Sequence, residues 1–130
     1  MPVVRFDAIG FVVDDMAATL AFYRRIGLDF PEDAAEEGHV EAVVPGGIRI
    51  MFDTRDVIRS FSEWEPPSGG HRAALAFLCD TPAEVDDTHA ELVAAGYESA
   101  VDPFDAFWGQ RYATIRDPDG NPVDLFAALG

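Results

Sequence analysis

Residues 108–127 read WGQRYATIRDPDGNPVDLFA: an apolar alternation, a turn at DPDGN, then a second alternation. Arg116 and Pro122 flank the five turn residues. A hairpin closed there sets Thr114 opposite Asp124 and Tyr112 opposite Phe126. Asp is disfavoured in strands. A carboxylate inside a sheet is expected to be paired or functional. Asp124, beside a hydroxyl and two aromatic rings, is therefore the first candidate site residue.

Working outward, Ala73–Asp80 reads as a strand with Ala73, Leu75, Phe77 and Cys79 on one face and Ala74, Ala76 and Leu78 on the other. Thr81, Pro82 and Glu84 form a helix-start signature. The helix runs to Ala95, with Val85, Leu92 and Val93 inward, His89 in solvent and Gly96 as its stop. Tyr97–Ala106 reads as a short strand or loop. At the other end of the chain, Phe6–Asp14 is a strand. Asp14 or Asp15 caps a helix over Met16–Ile26, and Gly27 ends it. Leu28–Glu37 reads as an acidic loop. His39–Val44 and Ile48–Asp53 form a hairpin around Pro45-Gly46-Gly47. Residues 54–71 hold a helical turn through Val57–Trp64, then Pro- and Gly-rich chain.

Two of these segments repeat. Residues 8–14 are AIGFVVD and residues 74–80 are ALAFLCD, an offset of 66. A helix, a glycine stop and extended chain follow each. Such a repeat indicates a duplicated βαβββ unit. The expectation is one α+β domain over 1–130. Module one covers about 5–53, the linker about 54–71 and module two about 72–128. Two βαβββ modules in tandem would form a curved mixed sheet around a central cleft, helices outside. Ile9, Phe11, Leu75, Phe77, Ala113, Ile115, Val123 and Leu125 would pack under the helices. Ala8, Gly10, Ala74 and Ala76 would leave room for a ligand on the opposite face.

Composition narrows the function. The 130 residues carry 24 acidic and nine basic side chains, a net charge of −15, and all nine basic residues are Arg. Such a surface repels nucleic acid and anionic membrane and attracts cations. The acidity equally serves solubility alone. No apolar run is long enough to cross a membrane. MPVVRFDAIG enters a strand with no basic region before an apolar one, so no secretory signal is expected. A single cysteine excludes an internal disulfide and fits a cytoplasmic location.

The first strand and helix (DAIGFVVDDMAATLAFYRRIGLDF), the middle pair (AALAFLCDTPAEVDDTHAELVAAG) and the last hairpin (DPDGNPVDLF) resemble the vicinal oxygen chelate superfamily. This is the glyoxalase, bleomycin-resistance and extradiol dioxygenase fold. The resemblance covers nearly the whole chain, and it identifies a fold that hosts many chemistries. It implies a divalent metal held by one His, Gln or Glu from each of four inner strands. Those positions fall on Ala8, near Met51 (within one residue), on Ala74 and on Asp124. Only Asp124 is a metal ligand by chemistry, and one carboxylate does not hold a metal. No cofactor is therefore expected, a divalent metal being the alternative. His71 and His39 lie off the ligand positions, and Cys79 reads as a core residue.

Metal-free members of the superfamily include proteins that sequester bulky, often cationic antibiotics in aromatic grooves of a homodimer. The expected ligand-binding set is Asp124, Tyr112, Thr114, Phe126, Trp108, Arg111, Phe52 and Trp64, with Phe61, Phe104 and Phe107 as further aromatics. Met51 is the alternative to Phe52. Aromatic walls suit planar or cationic ligands. Asp124 would be a counter-ion or an acceptor for Tyr112 or Thr114, and the only catalytic candidate. Trp108 would serve the pocket, the core or a dimer contact. Arg111 would position a ligand or pair with acids. The resulting expectation is a homodimeric, metal-independent protein sequestering an aromatic or cationic compound, with neither nucleic acid nor membrane as partner. The alternatives are a glyoxalase-like lyase, isomerase or dioxygenase, and a fold relic with a regulatory role.

Overall fold

The structure, a computed structural model, describes residues 6–63, 65–66 and 73–130. It divides into two compact units, Met1–Pro67 and Ser68–Gly130. The class is α+β, with one sheet of three strands and one of four.

In the first unit the order is β1 (Ala8–Val13), α1 (Met16–Ile26), a 3-10 turn (Ala34–Glu36), β2 (His39–Val43), β3 (Arg49–Thr54) and α2 (Arg55–Arg59). Asp15 caps α1, its side chain accepting from the Ala18 amide at 3.1 Å. At the far end the Gly27 and Leu28 amides bond back to the Arg24 and Tyr23 carbonyls. Helix α1 thus starts and stops where its cap residues direct. Strand β3 lies centrally, parallel to β1 and antiparallel to β2. Alternation along β3 buries Ile50 and Phe52 with Leu20, Phe22 and Tyr23 of α1. It turns Arg49, Met51 and Asp53 to the other face.

Three sequence expectations change in this unit. It contains three strands among its described residues, so it is βαββ and not βαβββ. The stretch after α1, read as an acidic loop, is interrupted by Pro31 and holds the 3-10 turn, so it supplies no further strand. The helical turn expected through Val57–Trp64 is α2, Arg55–Arg59, because Thr54 accepts from the Val57 amide and starts it earlier. Phe52, expected in the ligand site, belongs to the core (0% exposed). It sits between Phe11, Tyr23 and Phe30, with ring centroids 6.0, 5.0 and 6.1 Å away.

The second unit runs β4 (Leu75–Leu78), α3 (Pro82–Ala94), β5 (Ser99–Ala106), β6 (Gln110–Arg116) and β7 (Pro122–Ala128), with sheet order β4-β7-β6-β5. This is the full βαβββ pattern. Strand β4 is shorter than the Ala73–Asp80 expected. Helix α3 packs on β5, β6 and β7. Val85 and Leu92 of the helix, and Ala113, Ile115, Val123 and Leu125 of the sheet, are buried at 0–1% exposure. Two helix expectations reverse: Val93 is 43% exposed and His89 is buried. Positions 85, 89 and 92 form the apolar stripe of a helix. His89 satisfies its ring through the Ser99 hydroxyl at 2.7 Å, and Ser99 in turn donates to Asp102 at 2.7 Å.

The repeat reappears as matching strand pairs. Gly10 lies beside Met51 on parallel β1–β3, and Ala76 lies beside Asp124 on parallel β4–β7. Gly10 and Ala76 are 66 residues apart, the offset of the sequence repeat. Cys79 is buried, and that burial pushes its thiol pKa up. It packs as a small apolar residue, as expected.

Candidate functional site

The closing hairpin holds its expected register: Arg116 pairs with Pro122, Thr114 with Asp124 and Tyr112 with Phe126. The turn itself fixes this. Asp117 Oδ1 accepts from the amides of Asp119 (3.0 Å) and Asn121 (2.8 Å), and Oδ2 accepts from Asn121 Nδ2 (2.9 Å). Gly120 takes φ 85°, where a side chain would be strained.

Tyr112 and Thr114 occupy the face of the sheet away from α3. Tyr112 donates its hydroxyl to Asp124 Oδ2 at 2.5 Å, and Thr114 donates to Oδ1 at 2.7 Å. Both donors come from β6. On the other flank Asp124 pairs with Ala76 of β4, an exposed methyl group. Asp124 is half-buried and has no ion pair with an Arg or His among the described residues. Burial first, then the Asp124 hydrogen bond and charge, push the Tyr112 pKa up to about 12. Tyr112 therefore keeps its proton at neutral pH and acts as a donor.

Aromatic rings continue from this pair. Phe126 stacks on Tyr112 at 6.3 Å, and Trp108 meets Tyr112 edge-on at 5.4 Å. Phe104 contacts Trp108 and Tyr112 at 6.1 and 6.4 Å, and Phe107 lies 5.0 Å from Trp108. The Trp108 indole donates to Gln110 Oε1 at 2.8 Å, which fixes its plane. Phe104, Phe107 and Trp108 all keep exposed ring surface.

Six of the eight expected residues thus lie in the second unit, and five share one cluster: Asp124, Tyr112, Thr114, Phe126 and Trp108. Arg111 does not join them. It points to the α3 side, where its guanidinium grips Asp86 through Nε (2.9 Å) and Nη2 (3.1 Å) and Asp105 through Nη1 (3.1 Å). The Asp86 hydrogen bond holds its pKa above the ordinary value. Phe52 is core, and Trp64 and His71 lie outside the described residues. Phe104 and Phe107, named only as further aromatics in the sequence, belong to the cluster.

One charged group on the first unit was not anticipated. His39 Nδ1 meets Asp53 at 2.5 Å and Nε2 meets Glu41 at 2.8 Å. Arg49 bridges Glu41 (2.8 Å) and Asp7 (2.5 Å). Hydrogen bonds to Glu41 and then Asp53 raise the His39 pKa above its usual value near 6.5. Glu41 is lowered, chiefly by His39. A raised folded-state pKa contributes stability that is complete below the unfolded value and lost as pH rises through the folded one. The Tm difference between wild type and His39→Gln should therefore be largest near pH 5.5 and shrink towards pH 9. Thermal melts across that range measure it. A difference that does not change with pH would mean that His39 is neutral throughout.

Cavities of about 490 Å³ beside Asp7 and Gly46, and about 270 Å³ beside His39 and Glu41, open in the first unit. Asp124 lines neither. The donor chemistry does not fit a metal there. The four positions carry Ala8, Met51, Ala74 and Asp124, three of them without a side-chain oxygen or nitrogen. No group of three His, Cys, Asp or Glu residues able to hold a metal occurs among the described residues. No helix among them is long and apolar enough to cross a membrane.

A hairpin carrying Asp124 on its inner strand, after a repeated strand–helix motif, defines a class, and comparison with known proteins gives its name. The chain belongs to the Glyoxalase/Bleomycin resistance protein/Dioxygenase superfamily, which it matches over residues 5–125. It is similar in fold to a glyoxalase/bleomycin resistance protein/dioxygenase family enzyme from Burkholderia phytofirmans PsJN. Their sequences are 22% identical, with a TM-score of 0.79 over 97% of this chain and 100% of that one. A glyoxalase-related enzyme from Fulvimarina pelagi gives 18% identity and a TM-score of 0.80, over 96% and 88% of the two chains. Lactoylglutathione lyase from Agrobacterium tumefaciens gives 23% and 0.68, over 97% and 95%. No protein of curated function matches the sequence significantly.

Proposed function

We propose that the protein binds and sequesters an aromatic cation, without a metal, on the Asp124 face of its second unit. One observation carries this reading. Asp124 is half-buried among aromatic rings, and its partners among the described residues are two neutral hydroxyls and no cation. A carboxylate so placed loses hydration and gains no counter-charge from the protein. A cationic ligand supplies that charge, and Trp108 and Phe104 supply ring surface for its apolar part. The net charge of −15 favours approach of such a ligand.

The lyase, isomerase or dioxygenase reading would use Asp124 as the acid/base, or a metal at an atypical site. The lack of a cation beside Asp124 among the described residues, with aromatic rings around it, favours binding.

The test is an NMR titration of the labelled protein with benzyltrimethylammonium, an aromatic cation without N–H donors. Amide shifts should concentrate on β6 and β7. Asp124→Asn keeps the size and removes the charge, one of the two hydroxyls turning to accept from the new amide, and it should weaken binding at least about ten-fold, roughly 1.4 kcal/mol. Equal affinity in that variant would leave Asp124 a purely structural acceptor.

A further inference from the structure

The Asp124 carboxylate is oriented as well as charged, and its orientation selects among cations. Each carboxylate oxygen has two acceptor positions. Tyr112 occupies one on Oδ2 and Thr114 occupies one on Oδ1. One position per oxygen remains. Because each oxygen is held by its own donor, the group cannot turn to present a single oxygen. Both donors reach from β6, and on the β4 flank the residue paired with Asp124 is Ala76, an exposed methyl group. The remaining acceptor pair is thus a fixed, two-point receptor.

An ammonium group is a compact, strongly hydrated point donor. An amidinium or guanidinium is planar, presents two parallel N–H bonds and is weakly hydrated. The planar form engages both open positions at once and stacks on aromatic faces. Trp108 and Phe104, which flank Tyr112, offer such faces. Neither described arginine of the second unit fills this role: Arg111 is engaged by Asp86 and Asp105 on the opposite face, and Arg116 by Glu98.

We infer that the ligand is an aryl amidine or aryl guanidine, whose fork pairs with both oxygens of Asp124 while its ring rests on the Trp108–Phe104 side of Tyr112. This inference rests on the aromatic-cation reading above and narrows it to one chemical class.

Benzamidine and benzylamine test it, since they share ring and charge and differ in the fork. Calorimetric and NMR titrations of the full chain with each should give benzamidine at least about ten-fold the affinity of benzylamine. Thr114→Val, nearly isosteric, releases Oδ1 and should bring the two affinities together. Asp124→Asn should abolish the preference. Thermal melts of both variants establish that they are folded. Equal affinities in the wild type would overturn the fork and leave the aromatic-cation reading standing. Binding of neither compound would overturn both. A preference that survives in folded Asp124→Asn would place its origin elsewhere and overturn the assignment.

Discussion

Replacing Phe52 with alanine should lower the stability of the protein by about 3–5 kcal/mol. The ring is wholly buried in the first unit and touches Phe11, Tyr23 and Phe30. Tyr23 comes from α1, Phe11 from β1 and Phe30 from the segment after the helix. Removing the ring leaves a cavity that all three would have to collapse into. They are held by different elements, so collapse is incomplete and the cavity cost adds to the lost transfer energy. Urea unfolding followed by circular dichroism measures the change as a shift in midpoint at unchanged slope. A loss below about 1 kcal/mol would show that Phe52 faces solvent or ligand and that the face assignment of β3 is inverted.

Gly38→Ala should cost about 1–3 kcal/mol through overpacking. A methyl group built there comes 2.4 Å from Val57 Cγ2, well inside contact distance. Val57 is β-branched and belongs to α2, so it has little freedom to swing aside. The Gly38 carbonyl also accepts from the Thr54 amide at 2.9 Å, which fixes the backbone on the other side. The cost arises from one contact, so a double-mutant cycle isolates it. Val57→Ala should recover most of the loss in the Gly38→Ala background. Stability unchanged in Gly38→Ala alone would mean that α2 yields freely at its junction with β3.

The two substitutions mark where sequence reading succeeds and fails. Helix α1 was legible to the residue because Asp15 and Gly27 act on their immediate neighbours. The Thr114–Asp124 pairing was legible because a five-residue turn leaves one register. Phe52 was misplaced because the β2–β3 register carried a one-residue uncertainty, and in a strand one residue inverts the face. Arg111 was left open between a ligand and the acids. Its parity with Ala113 and Ile115 puts it on the helix side, where it pairs with Asp86 and Asp105. His89 lay on the Val85–Leu92 stripe, and a polar residue type outweighed its position. The Gly38–Val57 approach has no local signature, since it depends on how α2 leaves β3.

The Asp117 clasp in the final turn has a consequence for which changes of length the chain tolerates. Its carboxylate closes on the Asp119 and Asn121 amides, so 117–121 is a ring of fixed size. Surface loops ordinarily accept insertions and deletions. Here one residue more or fewer would slide β7 by one step. Asp124 would then turn under α3, and Leu125 would come out among the aromatic rings. Substitution can therefore tune the site gradually, whereas a change of length in that turn erases it in one event.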